Sequence, residues 1–244
     1  MKMLFKLGSC AILLFAIVVV AGFVASKAPE QSPLTGAWQS QDGSSIHLVL
    51  FMNDYFAYTL YNKDGKEFGL TFGGTYKLEN NQIVTTVEFH SENKDMVGQN
   101  VSYPFTLNND VLTTTDDGSP LSFKRLDNGS SPLAGVWRIT GRMQEGKIVP
   151  VHHTGTRKTV KILTGNRFQW VAMDPGTKEF SGTGGGTYSF ADGKYTENID
   201  FFSRDSSRVG ATLRFDGSLQ NDGWHHSGLS SRGDKIYEMW NKVK

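Results

Sequence analysis

Apolar and polar residues alternate with period two along most of the chain. Phe56, Tyr58 and Leu60 alternate with Ala57 and Thr59, and Phe168, Trp170 and Ala172 alternate with Gln169 and Val171. Val101, Tyr103, Phe105 and Leu107 form another such run, matched in part by Leu213 and Phe215. This pattern predicts strands with one buried face. Turn-forming clusters separate the runs: Lys63-Asp64-Gly65, Glu79-Asn80-Asn81, Asp174-Pro175-Gly176, Ala191-Asp192-Gly193 and Asn221-Asp222-Gly223. Beyond the first residues no stretch has a helical period. The expectation is all-β: short strands joined by hairpins and closed into small antiparallel meander barrels.

The chain carries this pattern twice. Leu34-Thr35-Gly36-Ala37-Trp38 returns as Leu133-Ala134-Gly135-Val136-Trp137, and Gly73-Gly74-Thr75-Tyr76 as Gly185-Gly186-Thr187-Tyr188. Lys66-Glu67-Phe68 returns as Lys178-Glu179-Phe180, and Val97-Gly98 as Val209-Gly210. From Tyr55 to Leu112 a constant offset of 112 aligns the copies without a gap. A fixed-period duplication predicts two tandem barrels, 34–126 and 133–244, with 127–132 (Asp127-Asn128-Gly129-Ser130-Ser131-Pro132) as linker. Features shared by the copies are expected to be scaffold, and features of one copy alone are candidates for function.

Gly-x-Trp opening each meander, with a basic residue in the last strand, resembles the lipocalins and the wider calycin group. That resemblance implies a Trp closing the barrel floor with a basic side chain across its indole: Trp38 with Arg125, and Trp137 with Lys242. The second copy is similar to a bacterial family of lipocalin-like domains of unknown function in exported or membrane-attached proteins. The likeness rests on Phe168-Gln169-Trp170-Val171, Asp174-Pro175, Gly185-Gly186-Thr187-Tyr188, Tyr195-Thr196-Glu197-Asn198-Ile199, Val209-Gly210, Trp224-His225-His226-Ser227-Gly228 and Glu238-Met239-Trp240-Asn241-Lys242-Val243. The first copy resembles it more distantly, and the resemblance implies no established activity.

The N-terminus differs in kind. Lys2 and Lys6 precede an uncharged stretch from Leu7 to Ser26, so residues 1–28 read as a cleaved secretory signal or a retained anchor helix. Either reading exports the remainder, as a periplasmic or secreted protein or one held at the membrane. Cys10, the only cysteine, lies in this stretch, so neither disulfides nor thiolate chemistry are expected in the barrels. The 25 basic and 24 acidic residues nearly cancel, which argues against a nucleic-acid partner.

Candidate chemistry concentrates in the second copy. On the strand from Tyr195 to Phe201 the apolar set Tyr195, Ile199 and Phe201 must face inward, and Glu197 faces inward with it, where the first copy has Thr85. Glu238 shares a face with Trp240, and Trp170 and Trp224 replace Tyr58 and Leu112. One reading is a ligand pocket walled by Phe168, Trp170, Tyr188 and Trp240, with Tyr195, Glu197, His226 and Glu238 as polar anchors. The other is a structural network in which Glu197 pairs with an internal base or Tyr, with Arg167, Arg214 and Lys242 as available partners.

Two inward acids also admit acid–base catalysis by Glu197 and Glu238, which ranks below binding. No catalytic set, metal site or cofactor is expected: His152-His153 and His225-His226 are adjacent pairs that face opposite ways on a strand. Thr140 to Thr159 is an insertion whose Met143, Ile148, Val149, Pro150 and Val151 are expected to form a lid. The expected function is binding of a small hydrophobic or amphipathic molecule in the second barrel. The alternative is a structural or protein-interaction module with filled barrels.

Overall fold

A computed structural model describes residues 31–116, 118–152, 154–220 and 223–243. The signal or anchor read at 1–28 lies outside these residues, as does His153. Among the described residues no helix is long and apolar enough to cross a membrane. Gln31–Lys244 forms one compact unit.

The first barrel consists of β1 (Gly36–Asp42), β2 (Ser45–Met52), β3 (Tyr55–Asn62), β4 (Glu67–Glu79), β5 (Gln82–His90), β6 (Asn100–Asn108), β7 (Val111–Asp116) and β8 (Ser119–Asp127). Each strand pairs antiparallel with the next, and β8 closes onto β1. The second contains β9 (Gly135–Gln144), β10 (Lys147–Pro150), β11 (Lys158–Leu163), β12 (Arg167–Asp174), β13 (Glu179–Ala191), β14 (Lys194–Phe202), β15 (Thr212–Gln220), β16 (Gly223–Leu229) and β17 (Lys235–Lys242). Here β17 closes onto β9, and β10 is an extra strand in a hairpin with β9. The described residues are thus all-β, with two closed eight-stranded meander barrels in tandem.

Each barrel is fastened around its opening tryptophan. Arg125 lies over the Trp38 ring, 4.0 Å from its centroid, while its Nη atoms donate to the carbonyls of Thr35 and Pro33. The Lys242 ammonium lies 5.6 Å from the Trp137 ring. Both indoles donate to the carbonyl four residues back, Leu34 and Leu133, at 2.7 and 2.8 Å. A planar guanidinium can stack on the ring and donate hydrogen bonds at once, which accounts for the closer contact in the first barrel.

The paired glycines set the register. A Cβ at Gly74 would lie 2.0 Å from the Thr86 carbonyl oxygen, and one at Gly186 2.0 Å from that of Asn198. Bulges fall at both places, leaving Glu88 and Asp200 as the extra residues of β5 and β14. Past a bulge the alternation of faces inverts. Phe201 is therefore not in the second barrel's interior, as period two predicted, but packs on Tyr61 of the first barrel, with ring centroids 4.9 Å apart and planes tilted by 39°.

That inversion helps to build the joint between the barrels. The outer faces of β2 and β3 (Leu48, Leu50, Ala57, Tyr61) and of β11 and β12 (Val160, Ile162, Val171, Met173) share one buried cluster with Phe89 and Phe201. At its centre Gln169, fully buried, accepts from Thr59 Oγ1 at 3.0 Å and donates to Thr71 and Thr183 at 3.0 and 3.1 Å. The two bulge acids reach across the joint. Lys158 of the second barrel pairs with Glu88 at 2.8 Å, and Lys63 of the first with Asp200 at 2.6 Å. Strands β3 and β12 are thus buried on both faces.

The β9–β10 hairpin does not cover apolar surface as the expected lid would. Met143, Ile148 and Val149 are 40%, 45% and 36% exposed, and Val151 alone of the set packs against the second barrel's core.

Replacing Gln169 with Ala removes the shared partner of three buried hydroxyls and opens a void. The expected loss is about 2–4 kcal/mol, read from urea denaturation. Both barrels are expected to unfold in one transition, and two separate transitions would show that the joint does not couple them.

Candidate functional site

The residues singled out in the second barrel do come together, as a bonded cluster around a lysine. Lys161 on β11 is 4% exposed and points inward, beside Trp137 on β9 and Trp170 on β12 in register. Its ammonium donates to Glu197 Oε1 at 2.7 Å, and Tyr195 donates its hydroxyl to the same oxygen at 2.8 Å. Four rings surround the charge: Trp240 at 5.0 Å, Tyr195 and Trp224 at 5.3 Å, and Phe168 at 5.8 Å. Desolvated cation–π contacts contribute about 2 kcal/mol or more, which offsets part of the cost of burying an ammonium.

Glu238, one layer on, accepts from His226 Nε2 at 2.9 Å and from the Trp240 indole at 3.2 Å. Tyr188 donates to the Thr164 carbonyl, and Trp170 is half-buried with its edge against Phe202. Glu197 is engaged in an internal ion pair. Its partner is Lys161 rather than Arg167, Arg214 or Lys242. His225, facing the other way from His226, bonds to Tyr237 at 3.0 Å.

Burial holds His226 below the ordinary imidazole range, the hydrogen bond to Glu238 only partly opposing it. Burial alone would raise Glu238, but the His226 hydrogen bond and the charges of His226 and Lys161 outweigh it and hold the carboxyl below its usual range. Near neutral pH, then, a neutral imidazole donates Nε2–H to an ionised carboxylate. His226 Nδ1 has no hydrogen-bond partner, so a proton there would have no acceptor. Burial, then the neighbouring Glu197, keep the Tyr195 hydroxyl un-ionised far above its ordinary range.

The first barrel has the same register and different contents. Val49 stands where Lys161 does, Thr85 for Glu197, Leu112 for Trp224, Thr114 for His226 and Leu121 for Glu238. Every replacement is smaller or uncharged, and the space they leave is a cavity of about 470 Å³. Its eighteen lining residues are mostly aliphatic and aromatic, with Tyr58, Thr85, His90, Asn93, Tyr103 and Thr114 as polar members, and none is Asp, Glu, Lys or Arg. Asn93 is exposed and Met96 half-buried, which marks that end as the mouth.

The His90 ring stacks on Phe72, with centroids 5.5 Å apart and planes 12° from parallel. Tyr58 packs on the other side of this row, its hydroxyl 2.7 Å from His47 Nδ1. Among the described residues no group of three His, Cys, Asp or Glu could hold a metal ion.

Two inward-facing positions escaped the sequence. Lys161 interrupts the apolar run Val160–Leu163, and a lone lysine there was the available signal. Strict alternation faces His90 outward, and the bulge at Gly73/Gly74 turns it in. No known protein-family model matches the chain, and no curated protein matches it.

Glu197→Gln leaves the Lys161 ammonium buried without its counter-charge. It is expected to destabilise the protein by about 3–5 kcal/mol, measured by denaturant titration. The double change Lys161→Val with Glu197→Thr, which copies the first barrel, removes both charges and is expected to cost less than the single one.

Acid should act through His226 with a definite sign. Its folded pKa lies below the unfolded value of about 6.5, so the unfolded chain takes up the proton first. The stabilisation is complete above that value and is lost as pH falls below it. His47, His90 and His152 are lowered in the same direction. His226→Thr should therefore flatten, without abolishing, the decline in denaturation midpoint between pH 7.5 and 5. An unchanged slope would remove His226 from the account.

Proposed function

We propose that this protein is a lipocalin-like carrier or sensor that takes a small, largely apolar molecule into its first barrel. The observation that carries this reading is the cavity of about 470 Å³, at the positions where the sister barrel holds Lys161, Glu197, Trp224, His226 and Glu238. Its size falls within the ordinary range for small-molecule sites, and apolar walls with a few polar groups are the usual composition of one. The ligand class expected from the sequence is kept. The address moves from the second barrel, whose anchors are engaged with one another, to the first.

The second barrel acts as a rigid partner to the first through the shared buried joint. The eight-stranded meander and the Trp–basic pairs support a place for both barrels among lipocalin-like folds. Export or membrane attachment through residues 1–28 belongs to the reading on sequence grounds: the basic start and the uncharged stretch from Leu7 to Ser26.

Leu112→Trp puts the second barrel's own residue into the cavity. The variant is expected to fold, because the same backbone position accommodates Trp224, and to lose about tenfold or more in affinity for an uncharged apolar fluorophore, a loss of roughly 1.4 kcal/mol or more. Fluorescence titration checks it. Equal affinity in the folded variant would place binding outside the cavity and overturn the proposal.

A further inference from the structure

The cavity mouth is organised by a hydrogen bond that exists only while one imidazole is neutral. His90 Nδ1 accepts from two consecutive backbone amides, Glu92 N at 3.2 Å and Asn93 N at 3.0 Å. Those bonds turn the chain out of β5 into the short helical turn Lys94–Met96, where Asn93 Oδ1 in turn accepts from Asp95 N at 3.1 Å. Asn93, at the mouth, is thus tied to the ring of His90, a lining residue itself, while the turn that carries Met96 is also held by backbone bonds, Met96 N to the Asn93 carbonyl at 3.2 Å and Gly98 N to that of Val87 at 2.8 Å. An Nδ1 that accepts two N–H groups cannot carry a proton, so the neutral tautomer has its proton on Nε2. Nε2–H is then the ring group left to meet a ligand.

The sister barrel lacks this arrangement. Phe202 occupies the position of His90, and Asp205 that of Asn93. Asp205 caps its turn through Ser207 N, as Asn93 does through Asp95 N, but the ring before it offers no acceptor. The ring acceptor thus accompanies the barrel that carries this cavity and is missing from its sister.

On the reading of the cavity as a binding site, we infer that its ligand is an uncharged molecule with a hydrogen-bond acceptor at one end, and that His90 is the latch that holds it and releases it in acid. The absence of charge follows from the lining, where a buried ion would find no counter-charge. The acceptor follows from the groups at the mouth, the Nε2–H of His90 and the Asn93 amide. Release follows from the geometry: protonation turns Nδ1 into a donor facing two donors, so the ring must leave the amides of Glu92 and Asn93, and the Nε2–H that meets the ligand moves with it. The groups around the ring are few. Glu92 on its own loop favours the proton, burial disfavours it more strongly, and the net direction is downward. From β4 the ring meets the uncharged Phe72, beyond which lies Tyr58 with its partner His47.

The test uses prodan, an uncharged naphthalene bearing a ketone, titrated into the full-length chain at pH 7.5 and 5.0 with Leu112→Trp as blank. Binding at pH 7.5 is expected to fall about fivefold or more at pH 5.0, the lower end of ordinary linkage couplings. In His90→Gln, which retains an acceptor and does not titrate, it is expected to change by less than about twofold, below that range. No binding above the blank at pH 7.5 would overturn the cavity reading itself. Binding at pH 7.5 with no fall in acid, or with an equal fall in His90→Gln, would leave the cavity standing and overturn the latch. A folded His90→Gln that does not bind at pH 7.5 would also overturn the latch, because an acceptor that does not titrate would then not hold the ligand.

Discussion

The backbone of an eight-stranded barrel encloses a fixed interior, and whatever occupies that interior decides what the barrel is. This chain holds the enclosure constant twice. Strand pairing, the glycine bulge and the Trp–basic clasp recur at matching positions in both halves. With the frame held constant, the difference between the barrels reduces to a handful of inward side chains. Five positions fill one interior with charge and aromatic bulk and open the other. The duplication therefore acts as an internal control, in which side-chain volume is the variable and backbone geometry is not.

The filled interior obeys the rule that a buried charge must be paired. Lys161 and Glu197 satisfy each other, Tyr195 shares the carboxylate, and four rings face the ammonium. His226 and Glu238 form a second pair one layer away. Each anchor that looked available for a ligand already has a protein partner. A carboxylate pointing into a barrel is thus equally the sign of a pocket and of an ion pair. Only the position of the neighbouring lysine separates the two, and that lysine comes from a strand far away in sequence.

Much of the fold was legible because period two and the repeat are local signals. Strand alternation, the turn clusters and the offset of 112 led to two antiparallel barrels, and the Trp–basic pairs followed from the family likeness. The bulge consequences were not drawn, although the Gly-Gly pairs announced them. One extra residue in β5 and one in β14 invert the faces of everything after them, sending Phe89 and Phe201 to the joint and His90 to the cavity. The joint was illegible for a related reason. Thr59, Thr71, Thr183 and Gln169 look like an ordinary solvent face, and only the other barrel makes them interior. The cavity was missed because emptiness has no motif. Val49, Thr85, Leu112, Thr114 and Leu121 read as a plain copy, and their significance lies in the volume they do not fill.

Emptiness carries a cost that the rest of the chain must meet. Inward side chains that line the cavity of about 470 Å³ lack packing partners on that side. The outer face of β2 and β3 answers this: Leu48, Leu50, Ala57 and Tyr61 are buried against the second barrel, with Gln169 tying the strands across the joint. Those strands gain from outside the packing they forgo within. On this argument the second barrel's charge-paired interior and the first barrel's open one are a single arrangement. A sequence that sets paired charges and large rings inside one copy can leave a cavity in the other, provided that the two are packed as one body.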